Sequence, residues 1–221
     1  MIMGKINTHP ADELLASHSA ASLPLSQALC IASHLENCPA CRQKSQRLIG
    51  VGSELMQQLK PSTPSSELKL RMMNQLDSLT DETAVAPSLI DPRIPHCLRQ
   101  FVQTSYDKLP WNRVSPDIHN YELCRDNGAK VELLRIRAGG SPTTHTHMGD
   151  EYTVILEGSF SDETGLYHKG DFLLRDARHK HTPVASQDRE CICLAVTEGP
   201  IQFTGFFSRL LNPFVRRSYS Y

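Results

Sequence analysis

The stretch His34-Leu35-Glu36-Asn37-Cys38-Pro39-Ala40-Cys41 carries three metal-ligand side chains at offsets of four and three residues. On a helix those offsets place the three side chains on one stripe, about one turn apart. Two thiolates and an imidazole suit Zn²⁺, and a closed structural site needs one further ligand. A Cys-x-x-Cys pair alone would fit a redox dithiol equally well, but the upstream histidine favours a metal. The stretch therefore predicts a zinc-centred helical unit.

The bulk composition excludes several classes of protein. The chain has 221 residues and a formal net charge of −1, so no positive field favours nucleic acid. No apolar run approaches the roughly 18 residues of a membrane span, and the first residues lack a signal-peptide pattern. The seven cysteines form no disulfide-like framework. These features predict a cytoplasmic protein that keeps its thiols reduced.

Helical periodicity extends through residue 80. We expect a helix entry at His9-Pro10, a second helix from Ser26, a third over residues 40–59 and a fourth over residues 67–79. The third and fourth helices follow Pro39 and the serines at 65–66, residue types that favour a helix start. So small an all-α unit needs a stabilising cross-link in addition to its core, and a zinc ion would supply one. We predict a zinc-binding helical domain over residues 1–80.

A change of pattern separates this domain from the rest of the chain. Residues 81–95 contain prolines and no sustained period, which predicts a linker. Beyond them, short apolar runs of period two are divided by glycine turns. This pattern is typical of a small β-barrel or sandwich over residues 96–221.

A second set of metal ligands lies in this β part. His145 and His147 alternate on one predicted strand face, and Glu151 follows at the start of the next apolar run. His181 comes thirty residues after Glu151. Three histidines and a carboxylate suit Zn²⁺ or another divalent metal. His168 and His179 are expected at the surface, and we expect at most one of Cys191 and Cys193 to face the histidines.

The second set resembles the first motif of the cupin family. Gly139, His145-x-His147, Glu151 and Gly158 have that motif's spacing, and Gly170-Asp171 followed by His181 has the frame of the second motif. This register selects His181 over His179. The resemblance implies a C-terminal cupin β-barrel that binds a metal through His145, His147, Glu151 and His181.

The N-terminal half resembles the zinc-binding anti-sigma domain of bacterial regulators, in which an upstream histidine completes the His-x3-Cys-x2-Cys motif. His9 stands where that family places its histidine, and His18 is the rival. The two halves together resemble ChrR-type anti-sigma factors of the singlet-oxygen response. The resemblance implies zinc at His9, His34, Cys38 and Cys41, and an extracytoplasmic-function (ECF) sigma factor as partner, released on oxidative stress.

Other functions compete with that of a regulator. A cupin with three histidines and one glutamate could be a metal-dependent dioxygenase or isomerase, although no further cluster of catalytic residues stands out. A nucleic-acid-binding zinc finger is disfavoured, because residues 1–85 carry seven Lys/Arg against eight Asp/Glu. The stripe Leu68, Met72 and Leu76 is either helix core or a partner-binding face.

Overall fold

A computed structural model of the chain describes residues 6–78, 91–142, 145–176 and 182–203. Within those ranges, no helix is long and apolar enough to cross a membrane. Most of the predicted linker and His181 lie outside the described residues.

Four α-helices open the described chain: α1 (Asp12–Ser19), α2 (Leu25–Asn37), α3 (Pro39–Gln57) and α4 (Ser66–Ser78). The break between α2 and α3 falls at Cys38, whose extended backbone begins a new helix with Pro39 at its first position. The Ser65 hydroxyl accepts a hydrogen bond from the Leu68 N–H and caps α4. Two single 3₁₀ turns, His96–Leu98 and Tyr106–Lys108, precede the first strand.

Short antiparallel strands follow, in three sheets. The strands are β1 (Asn112–Arg113), β2 (Ile118–Asp126), β3 (Ala129–Ile136), β4 (His145–His147), β5 (Glu151–Glu157), β6 (Ser159–Asp162), β7 (Gly165–His168), β8 (Phe172–Arg175), β9 (Val184–Ala185), β10 (Cys191–Thr197) and β11 (Ile201–Phe203). One sheet has the order β1-β2-β3-β10-β5-β8, a second pairs β11 with β4, and a third has the order β7-β6-β9.

The inner strands β5 and β10 of the six-stranded sheet are buried on both faces, as their continuous buried runs show. One face packs against the helices, and this core includes Leu15 and Leu29 together with Val154 and Leu194. The other face packs against the three-stranded sheet, with Ile155 and Phe160 in its core. Helix α2 is thus seated on β5 and β10, and residues of the helical and β parts share one core.

The predicted order of helices followed by an all-β part is confirmed. The described strands lie in three sheets rather than in one closed barrel. Strand β2 and the hairpin β6–β7 were not predicted, because their polar and partly exposed residues mask the period-two pattern. The proposed boundaries at residues 80 and 95 stay predictions.

Candidate metal centre

Four of the predicted ligands converge at the junction of α2 and α3. One ligand atom from each of His9, His34, Cys38 and Cys41 lies within 4.8 Å of all the others. His9 Nδ1 is 3.4 Å from both the Cys38 and the Cys41 sulfur. In a tetrahedral zinc site with the usual bond lengths, the nitrogen–sulfur edge is about 3.5 Å. The group contains His9 and not His18, which favours His9 as the fourth ligand.

The ring orientation of His34 suits metal binding. Its Nδ1 lies 2.7 Å from the carbonyl oxygen of Gly170, and because a carbonyl only accepts, Nδ1 carries the proton. Nε2 therefore carries no proton, and its lone pair is available for a metal ion. It is buried and has no hydrogen-bond partner among the described residues. A buried acceptor without a partner costs free energy, and coordination to a metal ion would remove that cost.

The electrostatics of the group also suit a metal ion. Burial lowers the pKa of His34 to about 4, which keeps the imidazole in its neutral, ligating form. Burial and the neighbouring Cys38 raise the pKa of the Cys41 thiol to about 12, and a bound cation would reverse that shift. The Cys38 sulfur accepts the Cys41 N–H and so caps the start of α3. The four residues therefore fit a zinc ion.

Sequence reasoning missed the residues that hold this group from outside. Gly170 and Asp171 were predicted only as a glycine turn and as part of the second cupin motif, yet Gly170 contacts His34 and the buried Asp171 carboxylate accepts the N–H groups of Asn7 and Thr8. No local pattern could have revealed contacts that span 136 residues or more.

The second predicted set is described only in part. Strand β4 carries His145 and His147 and pairs with β11, and Glu151 begins β5 with a buried side chain. The connection between them is fixed, because Met148 N–H donates to Pro200 and Glu198 N–H donates to Asp150. His181 lies outside the described residues, so these four ligands stay a prediction.

The expectation for Cys191 and Cys193 is wrong. Residues two apart on a strand share a face, and both thiols lie in the core between the two sheets. Cys193 pairs with Ile155, on the sheet face that Glu151 also occupies. A hydrogen bond with Cys191, together with burial, raises the pKa of Cys193. The Cys193 thiol is therefore held protonated.

Known proteins combine the same two parts. The sequence model of the family described as ChrR Cupin-like domain matches residues 99–202. Over 211 residues the chain is 34% identical to the anti-sigma-E factor ChrR of Cereibacter sphaeroides, covering 96% of this chain and 99% of that protein. The chain belongs to the ChrR family of anti-sigma factors.

A solved structure supports the assignment to the ChrR family. The chain is similar to ChrR in the crystal structure of Rhodobacter sphaeroides SigE in complex with the anti-sigma ChrR, with a TM-score of 0.77 and 33% identity. The match covers 87% of this chain and 100% of that one. It confirms the predicted fold class, helices followed by a cupin-like part.

Proposed function

We propose that this ChrR-family protein is an anti-sigma factor that sequesters an ECF sigma factor and so represses its transcription. The observation that carries the proposal is the near full-length similarity to a protein solved in complex with a sigma factor. The proposal includes a cytoplasmic location, since a sigma factor acts together with RNA polymerase.

The helices offer a surface for such a partner. The second half of α3 and the whole of α4 expose large apolar side chains: Ile49, Val51, Leu55, Met56, Leu68, Leu70, Met72, Met73 and Leu76. No residue of α4 from 66 to 76 is buried. Exposed large apolar side chains in this number are a mark of protein–protein contact, and helices with apolar anchors suit a groove on a partner protein.

The zinc ion is proposed to be structural. Bound by His9, His34, Cys38 and Cys41, it would hold α1, α2 and α3 together, because metal-binding energy is folding energy in a small unit. Residues 1–80 would form the sigma-binding domain and residues 81–95 the linker to the cupin-like domain 96–221. The mainly hydrophobic contact between α2 and the sheet gives the two parts a route of communication.

The cupin-like part is proposed to be a sensor and not an enzyme. A second Zn²⁺ or another divalent metal at His145, His147, Glu151 and His181 would sit beside the buried thiols of Cys191 and Cys193. Oxidative or singlet-oxygen stress acting there would weaken the sigma complex. Absence of turnover in the metal-loaded protein is part of the proposal, and oxygen-dependent turnover would contradict it.

Co-purification tests the proposal. The full chain is co-expressed with each ECF sigma factor of the source bacterium, and we expect one of them to be retained in a stoichiometric complex. Cys38→Ala should release zinc and lose that sigma factor. Cys30→Ala is the matched control, since Cys30 is a buried thiol of α2 outside the ligand group. Retention of no sigma factor by the wild-type chain would overturn the proposal.

A further inference from the structure

We propose that the turn between β7 and β8, residues His168–Phe172, forms the outer shell of the N-terminal zinc site. Gly170 would then fix one zinc ligand and Asp171 the segment that carries another, so that zinc affinity depends on docking of the cupin-like sheet. The inference rests on the zinc site of the proposed function but goes beyond it, because it makes the β part a component of that site.

Gly170 holds His34 directly. The carbonyl of Gly170 accepts the His34 Nδ1–H at 2.7 Å, and both His34 and its bond are buried. That bond fixes the tautomer and aims Nε2 into the ligand group, which is the usual role of an outer-shell acceptor at a zinc site. The Phe172 ring packs edge-on against the His34 ring, with centroids 6.1 Å apart.

Asp171 holds the segment that ends in His9. Its side chain is fully buried, and Oδ1 accepts the N–H groups of Asn7 and Thr8 at 2.7 and 2.9 Å. Oδ2 accepts the His168 N–H at 2.8 Å and closes the turn. The Phe172 N–H donates to the Thr8 carbonyl. Residues 7 and 8 are thus hydrogen-bonded to the turn at the start of β8, and His9 follows at once.

The fit between turn and helices is tight at residue 170. Gly170 has φ +92°, and a Cβ there would lie 2.7 Å from Ile6 Cδ1 and 3.1 Å from Asn37 Cβ. Both neighbours belong to the helical part and flank the ligands. The turn is also anchored in the sheet, because Gly170 N–H donates to Ile155 and Ile155 N–H donates to Asp171. Strand β5 therefore connects the turn with Glu151 at its first residue.

The experiment uses the full chain loaded with Co²⁺ in place of zinc. A cobalt–thiolate absorption band reports a site with cysteine ligands, and the Cys38→Ala protein gives the background. Gly170→Ala and Asp171→Asn are compared with two controls. Gly128→Ala has a similar φ of +84° but open space around its Cβ, and Asp188→Asn removes an exposed carboxylate.

We expect both turn variants to bind Co²⁺ about 10- to 100-fold more weakly than the wild type, the usual loss for an outer-shell change. The controls should stay within about two-fold of the wild type. Ile6→Ala combined with Gly170→Ala should recover part of the loss, because it removes the closest clash. If the turn variants bound Co²⁺ as tightly as the controls, this inference would be overturned but the proposed zinc site would not. A wild-type protein without the cobalt–thiolate band would overturn it together with the proposed zinc site.

Hydrogen exchange separates positioning from a general loss of stability. In the metal-loaded turn variants, the amides of Asn7 and Thr8 and the ring N–H of His34 should exchange at least about ten-fold faster than in the wild type. The amides of β10 should keep their protection. Equal acceleration at both places would show that the turn only stabilises the fold and would overturn its assignment to the zinc site.

Discussion

Two histidines, His9 and His18, are candidates for the fourth zinc ligand. His9 Nδ1 lies 3.4 Å from each of the two cysteine sulfurs, whereas His18 lies in the last turn of α1 and its Nδ1 is buried without a partner among the described residues. Burial lowers the pKa of His18, so its ring is neutral and could in principle bind a metal. The distances nevertheless favour His9.

Alanine substitution of each histidine tests this choice. His9→Ala should reduce zinc binding at the N-terminal site by at least about ten-fold, because three ligands leave one corner of the tetrahedron open. His18→Ala should leave zinc binding unchanged. Zinc titration of the two full-length variants against a chromophoric chelator measures both. The reverse order of the two effects would make His18 the ligand.

The three clustered ligands could be predicted because they are close in sequence, although Cys38 lies at the break between α2 and α3 and the three do not share one helical stripe. His9 was reached only through the family resemblance, since the 24 residues between His9 and His34 hide their contact. Gly170 and Asp171 could not be predicted, because their partners lie across two elements that only tertiary packing brings together.

At the scale of helices, local signals defined α4 well. The predicted range 67–79 compares with Ser66–Ser78 in the structure, because the Ser65 cap and the apolar period both act locally. What the period could not decide is whether the stripe faces a core or a partner. In the chain without a partner the stripe is not covered, because Met72 and Leu76 are each more than half exposed.

Charge reversal of this surface tests its role. Met72→Glu should weaken the proposed sigma complex by at least about ten-fold, since a charge would be buried in an apolar contact. Because Met72 is exposed, the unfolding free energy of the free protein should change by less than about 0.5 kcal/mol. Asn74→Glu adds the same charge two residues further along the same helix, on the side opposite Met72, and should bind normally. Binding is measured by calorimetry with the purified sigma factor.

A buried ion pair between the ends of β6 and β8 predicts a pH dependence. The Asp162 side chain has no exposed surface and lies 3.1 Å from the Arg175 guanidinium. Burial alone would raise its pKa, but hydrogen bonds from Thr164 and Arg175 outweigh burial and hold the pKa below its ordinary value. Because the unfolded chain then binds the proton more readily, Asp162 stabilises the fold above its ordinary pKa, and this is lost as the pH falls towards the folded pKa.

Urea unfolding at about pH 6 and about pH 3 measures this contribution. Asp162→Asn should cost about 3 kcal/mol at the higher pH, because it leaves the Arg175 charge buried without its partner, and the difference from the wild type should shrink at the lower pH. Glu122→Gln, which breaks an exposed pair with Arg125, should cost less than about 1 kcal/mol. A pH-independent difference for Asp162→Asn would contradict the argument.

At the scale of the whole molecule, the helical and β parts share contacts that no linker prediction suggests. Besides the turn at Gly170, the Asp126 carboxylate accepts the Ser26 N–H at the start of α2, and Gln27 donates to Glu198. Pattern analysis locates elements and turns, but the seating of α2 on β5 and β10 depends on side chains more than 100 residues apart. The sequence therefore predicts the parts and not their contact.

The proposed division of labour can be tested at Glu151, which lies on the β side of that contact. Glu151→Gln should leave the proposed sigma complex intact, because Glu151 lies on β5 and not on the helices α3 and α4 that carry the apolar surface. It should blunt release of the sigma factor under photo-oxidative stress, since it weakens the proposed cupin metal site. Glu132→Gln is the matched control, because Glu132 is equally buried, 8% exposed like Glu151, but bonds to Asn120 and Lys130.

A sigma-dependent reporter, read with and without light and a photosensitiser, gives the release, and co-purification gives the complex. Glu132→Gln should respond like the wild type in both measurements. A folded Glu151→Gln protein that no longer binds the sigma factor would place binding and sensing in the same part of the molecule. A normal response from Glu151→Gln would remove the cupin site from sensing and direct attention to the paired thiols of Cys191 and Cys193, which lie on the same face of the sheet.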